Sequence, residues 1–250
     1  MERRRYNRRR RRGRLSFLWK LIAAVVIVAA MIAAITLFFR MDHIAVSGMV
    51  RYSEQDVLEA SGLELGTNLY YINKYEVKER IFTQLPYVEE VRINRKLPDT
   101  MLIEIRECKA VAGIEFAGNV WLISEHGKLL EKAETVPAGC PLIAGGLLVS
   151  PEVSAQAAFV EEQSYRADVV LTLLREAEQR GMRGKIPRID LSDDTALTMD
   201  YLGRFTVRFP WTAEVGYKLD SLATAISYLE DNETGRINLM TDGKVSFIPE

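Results

Sequence analysis

Nineteen consecutive residues, Leu21 to Phe39, are apolar with Thr36 as the one polar member. At the helical rise of 1.5 Å per residue the run makes about 28 Å, close to the roughly 30 Å hydrocarbon layer of a bilayer. Leu15, Phe17, Leu18 and Trp19 extend the apolar surface upstream, and Trp19 with Lys20 is the kind of pair found at the headgroup boundary. A cleaved secretory leader competes with this reading, because Ala29, Ala30, Ala33 and Ala34 are small. Its apolar region usually has about 7 to 15 residues. Here the run continues past every plausible cleavage point to Phe38 and Phe39, which favours an uncleaved anchor.

Beyond the anchor the pattern changes to short amphipathic segments. His43 to Gly48 places Ile44 and Val46 on one face, a strand ended by glycine. Ser53 and Asp56 have capping-box spacing, and Gly62 stands where a left-handed helix end is needed. Asn73 and Glu76 repeat the spacing ahead of Val77, Ile81 and Leu85, a second helix ended by Pro86. Val88 to Leu97 and Met101 to Glu107 then alternate apolar and charged residues around Pro98, Asp99 and Thr100, which predicts a hairpin. Strand, two helices and two strands are enough for a small three-stranded sheet covered on one face.

The rest reads as a second unit. Asn119 to Ser124 and Lys128 to Lys132 are short strands flanking a turn. Pro151 to Arg180 reads as helical, with Val160, Val169, Val170, Leu173, Leu174 and Ala177 fitting the helical period in its second part and Gly181 and Gly184 closing it. Ile186 to Leu191, Thr195 to Leu202 and Arg204 to Phe209 are strands. Ala213 to Glu230 is an amphipathic helix through Leu219, Leu222, Ile226 and Leu229. Arg236 to Met240 and Lys244 to Ile248 form a final hairpin around Thr241, Asp242 and Gly243.

Charge sharpens this division. Residues 1 to 39 hold nine Arg, one Lys and one Glu, a net of +9, so with −1 for all 250 residues the remainder carries −10. The flanking arginines, Arg3 to Arg5, Arg8 to Arg12 and Arg14, place the tail in the cytoplasm by the positive-inside rule and the acidic body outside. Arginine runs also contact phosphates, but only Tyr6, Asn7 and Gly13 interleave these, so topology is the simpler explanation.

Ingredients for catalysis are few. The two histidines are His43, near the membrane, and His126, in a turn. No metal, dinucleotide, phosphate-loop or nucleophile-elbow spacing occurs. The pairs Glu89-Glu90, Glu161-Glu162 and Asp193-Asp194 are sequence neighbours, which point apart on regular elements. Ser47 lies where an anchored Ser-Lys protease keeps its nucleophile, but the expected Met-x-Pro context is missing and the next lysine is Lys74. Cys108 and Cys140 read as idle thiols, with pairing left open. The expectation is a protein without enzymatic activity, cofactor or metal.

The order basic tail, single anchor, strand-helix-helix-strand-strand and mixed unit resembles the FtsQ/DivIB family of bitopic cell-division proteins. The FtsQ-type POTRA domain is matched by Val88, Val91, Ile93, Arg95, Pro98, Thr100, Leu102, Ile103, Ile105 and Glu107, together with HIAVSGMVRYSEQDVLEASGL and Gly66 to Leu69. VAGIEFAGNVWLISEHGKLLEK resembles the start of the family's β domain and GRINLMTDGKVSFIP its last hairpin. The resemblance implies an α+β fold: a cytoplasmic tail at 1–14, a transmembrane helix at 15–39, a POTRA domain at 40–108 and a β domain at 109–250.

It also implies a divisome scaffold at the septum, binding FtsB/DivIC-like and FtsL-like partners to help control septal peptidoglycan synthesis, with no nucleic acid and no small-molecule substrate. Lys244, Val245, Ser246, Phe247 and Ile248 are the candidate contact, since a terminal strand can offer unpaired backbone groups to a partner strand. The competing reading is a hairpin paired within its own domain, with Lys244 blunting the edge. Another class, a POTRA-bearing transport or chaperone component, would be expected to lead into alternating strands of about ten residues, which do not follow Glu107.

Overall fold

The computed structural model describes residues 12–249. The arginines from Arg3 to Arg11 that set the expected orientation lie outside the described residues. The described residues divide into two compact units, 12–78 with 91–105 and 79–90 with 106–249.

Helix α1, Arg12–Phe38, carries the apolar run. Its segment Phe17–Phe38 is long and apolar enough to cross a membrane, and its side chains are exposed along its length. Strand β1, His43–Ser47, follows, then α2, Glu54–Ser61, and α3, Lys74–Gln84. The anticipated capping box is formed: the Ser53 side chain accepts from the Asp56 backbone N–H, and Asp56 Oδ2 accepts from the Ser53 backbone N–H at 2.8 Å. Gly62 ends α2 in the left-handed conformation. For α3, Asn73 Oδ1 accepts from the Tyr75 backbone N–H at 3.1 Å and Asn73 Nδ2 donates to Glu76 at 2.8 Å.

Strands β2, Val88–Lys96, and β3, Thr100–Glu107, complete a sheet of order β1-β3-β2, with β1 parallel to β3 and His43 opposite Thr100. The alternation seen in sequence buries Val91, Ile93, Met101, Ile103 and Ile105, with Val57, Leu69, Ile72 and Val77 among the other buried apolar side chains of this unit. Gly48, at φ 87°, lies against the Ile105 carbonyl, so a side chain there would collide with β3.

The larger unit is built on a nine-stranded mixed sheet. Its strands are β4 Ala112–Phe116, β5 Asn119–Ile123, β6 Leu129–Ala133, β7 Leu142–Ala144, β8 Arg188–Asp190, β9 Ala196–Tyr201, β10 Phe205–Pro210, β11 Gly235–Thr241 and β12 Lys244–Pro249. Their order is β12-β11-β10-β9-β8-β7-β4-β5-β6. Helices α4, Ser164–Gln179, and α5, Val215–Ile226, contribute Val170, Leu173, Leu174, Leu219 and Leu222 to one core with Ile114, Ile143, Leu197, Val207 and Ile237 of the sheet. Buried Arg166 donates to the Leu191 carbonyl at 3.1 Å and to Asp194 at 2.7 Å, which fixes α4 to the end of β8.

One expected helix is shorter than its sequence reading. The stretch beginning at Pro151 is not helical until a 3₁₀ turn at Glu161–Gln163. Before it the chain turns at Val153 and Ser154 and then runs through bridges from Lys128 to Gln156 and from Leu148 to Phe159. Ala157 and Phe159 pack on the core two residues apart, a strand-like period that overrides local propensity.

Candidate partner-binding edge

Strand β12 closes one end of the nine-stranded sheet, paired on one side only, antiparallel to β11. The register sets Ile237 opposite Phe247, Asn238 opposite Ser246 and Thr241 opposite Lys244, with a shift between the last two pairs. Gly235 is required at the far end of this pairing: at φ 151° it faces the Ile248 carbonyl so closely that a β-carbon would overlap it.

The structure brings all five residues named from sequence onto this edge. Phe247 turns inward, half-buried, its ring 6.1 Å from Phe205 in an edge-to-face contact. Val245 lies two residues away on the same face but is 40% exposed, and Ile248 is 54% exposed. Lys244 and Ser246 are exposed. The edge thus has an inward anchor and an open row of backbone and apolar groups, the arrangement that strand addition uses.

A groove of about 420 Å³ runs beside it, lined by Tyr217, Ser221, Thr224 and Tyr228 on one side and Leu239 and Val245 on the other. Lys218 holds these two walls together. Its side chain is 2% exposed, and Nζ donates to the Leu239 carbonyl at 2.6 Å and to Asp242 at 2.7 Å. A helix residue therefore fixes the turn of the final hairpin. Sequence reasoning passed over this lysine, although a cation beside Leu219 and Leu222 on the apolar stripe of an amphipathic helix is a signal of a buried, partnered charge. Behind the groove, Arg180 bridges α4 and α5 through Glu176 at 2.5 Å and Asp220 at 2.8 Å, and the guanidinium holds the Asp220 carboxyl below its ordinary pKa.

Among the described residues no cluster of three or more His, Cys, Asp or Glu is placed to hold a metal. Cys108 and Cys140 are both free thiols; burial, then the charge of Glu89, pushes the Cys108 thiol up to about 12, which leaves it protonated and unreactive. Ser47 closes β1 and Lys74 opens α3, and no hydrogen bond joins them. Strands β4 to β12 run three to seven residues, short of a membrane barrel's strands of about ten.

An apolar N-terminal helix, a β-α-α-β-β unit and a β-rich unit fit a POTRA-bearing protein of the single-pass membrane type. The family profile described as "POTRA domain, FtsQ-type" matches residues 39–107. Similar curated proteins include the cell division protein DivIB of Clostridium botulinum strain Hall, 30% identical over 99 residues, 40% of this chain and 38% of that protein. DivIB of Geobacillus kaustophilus is 27% identical over 147 residues, 58% of this chain and 54% of the relative. FtsQ of Corynebacterium glutamicum is 30% identical over 110 residues, 43% of this chain and 49% of the relative. These alignments span about half or less of the relatives' own lengths. The solved major extracytoplasmic domain of DivIB from Geobacillus stearothermophilus overlays with a TM-score of 0.31 at 14% identity, over 50% of this chain and 98% of that one, a level of agreement too low to bear on role. The chain carries an FtsQ-type POTRA domain at residues 39–107, and its similarity to DivIB and FtsQ proteins supports a place in the FtsQ/DivIB family.

Proposed function

We propose that this chain is a non-enzymatic scaffold of the bacterial divisome, with residues 1–14 in the cytoplasm, α1 crossing the membrane once, and the POTRA and β domains, 40–108 and 109–250, outside. At the division septum it binds FtsB/DivIC-like and FtsL-like partners and so helps to control septal peptidoglycan synthesis. Residues Lys244 to Ile248 contribute the contact by pairing with a strand of the FtsB/DivIC-like partner.

One observation carries this reading: β12 ends its sheet, paired on one side, with Val245 and Ile248 exposed along it. A partner strand would complete the backbone pairing, and its side chains would reach the groove between α5 and the hairpin at alternate positions. The cell-division names of the relatives support the setting. The test is a pull-down of the FtsB/DivIC-like partner by the full chain and by a chain lacking residues 244–250. Loss of capture with the shortened chain is expected, provided its melting transition is kept; undiminished capture contradicts strand addition.

A further inference from the structure

The exit of α1 is stitched to two loops of the smaller unit. Asn68, 8% exposed, donates from Nδ2 to the Thr36 carbonyl at 3.2 Å, an acceptor of the last helical turn, and to the Ile35 carbonyl at 3.3 Å, which also accepts from the Phe39 N–H. The Leu69 backbone N–H donates to the Phe39 carbonyl at 2.9 Å, and the Met41 N–H to the Thr67 carbonyl at 2.9 Å. From the other side, the backbone N–H groups of Asp42 and His43 both donate to the Asp99 carbonyl, at 2.9 and 3.2 Å, which holds the tip between β2 and β3 against the same exit. Arg95 stiffens the first loop by donating to the carbonyls of Leu69 at 2.7 Å and Ile72 at 3.0 Å.

Both loops leave large apolar or aromatic side chains uncovered. Leu65 is 64% exposed, Tyr70 50%, Tyr71 74%, Tyr75 70% and Leu97 51%, while Leu69 and Ile72 between them are buried. Tyr70 meets Phe39 edge to face at 5.1 Å. Length then fixes the level of this patch. From Trp19, at the inner boundary, to Phe39 the helix rises about 30 Å, which uses the whole hydrocarbon thickness and leaves no spacer. A ring touching Phe39 therefore lies in the headgroup layer, where tyrosine is favoured because its body is apolar and its hydroxyl is wet.

We propose that residues 65–75 and the tip at Leu97 form a foot that seats the smaller unit in the interfacial layer of the outer leaflet, with Tyr70, Tyr71 and Tyr75 as the inserted groups. The occupant is the lipid surface itself. Nearby charges are of both signs, Arg40, Lys74, Arg95 and Lys96 against Asp42, Glu64 and Asp99, so the seating is aromatic and independent of lipid charge. The inference rests on α1 crossing the bilayer and is independent of any partner at β12.

The test uses the full chain in phosphatidylcholine vesicles and in vesicles containing phosphatidylglycerol, at less than one chain per vesicle leaflet contact. A fluorescent amino acid replaces Tyr71 or Tyr75, or, as control, Glu104, which lies opposite Ser47 at the far end of β1, about 13 Å further along the strand. Iodide quenching several-fold weaker at 71 and 75 than at 104, in both lipid mixtures, is expected. Equal quenching at the three positions, or protection that appears only with phosphatidylglycerol, overturns the proposal. Alkali-resistant flotation of the same samples reports separately on whether α1 is in the membrane, so the two failures are distinguishable.

Discussion

The two ends of the chain that follows α1 treat their backbone groups in opposite ways. At the helix exit, Phe39, Met41, Asp42 and His43 each find a partner in a neighbouring loop, and Asn68 adds a side chain for the helix carbonyls. At the C-terminus, β12 has a neighbour on one side only. A buried or membrane-facing backbone must be satisfied within the chain, because no water is available to it. A solvated edge carries no such penalty. The difference separates a joint that fixes orientation from a surface that can accept another chain.

The contrast is broken most severely by Phe205→Ala, which removes the ring beneath Phe247 from a fully buried position. A cost of about 3–5 kcal/mol is expected in urea unfolding of the larger unit, together with loss of partner capture. Lys218→Met is gentler. It leaves the Leu239 carbonyl without its donor but strands no charge, since Asp242 is 86% exposed. The expected cost is about 1–2 kcal/mol, with faster hydrogen exchange across residues 239–245 and weaker capture while the fold persists. If exchange there is unchanged, the lysine does not fix the edge.

The smallest effect concerns the smaller unit. Ser53→Ala should cost about 1 kcal/mol through the lost cap, with the partner edge untouched. The Ser53 backbone N–H, then its hydroxyl, hold the Asp56 carboxyl below its ordinary pKa of 3.8. A depressed folded pKa gives stability that is complete above the ordinary value and is lost as pH falls through the depressed one. Acid unfolding followed by circular dichroism should therefore lose this component in Asp56→Asn, whose stability falls less steeply below pH 3.8 than that of the parent chain.

Much of this fold was legible because its signals are local. The nineteen-residue apolar run, the Ser53 to Asp56 spacing and the alternation from Val88 to Glu107 each act within a few residues, and each element stands where its pattern puts it. What was not legible depends on distant partners. Strand β7 has three residues and exists because it lies between β4 and β8, parallel to both. The segment before α4 is kept out of the helix by bridges from Lys128 and Leu148. The terminal hairpin was readable, including Phe247 and Val245 sharing a face, but the groove beside it was not, since it forms only when Lys218 reaches Leu239 and Asp242. Asn68 likewise shows its role only once the helix end 32 residues earlier is beside it.

Site-specific photocrosslinking along residues 236–248 in growing cells tests the partner edge most directly. Adducts with the FtsB/DivIC-like partner concentrated at residues 244–248, and sparse on β11 where both sides are already paired, are expected. Adducts with that partner elsewhere on the two folded units, with none from 244 to 248, would contradict the assignment of β12 as the binding edge.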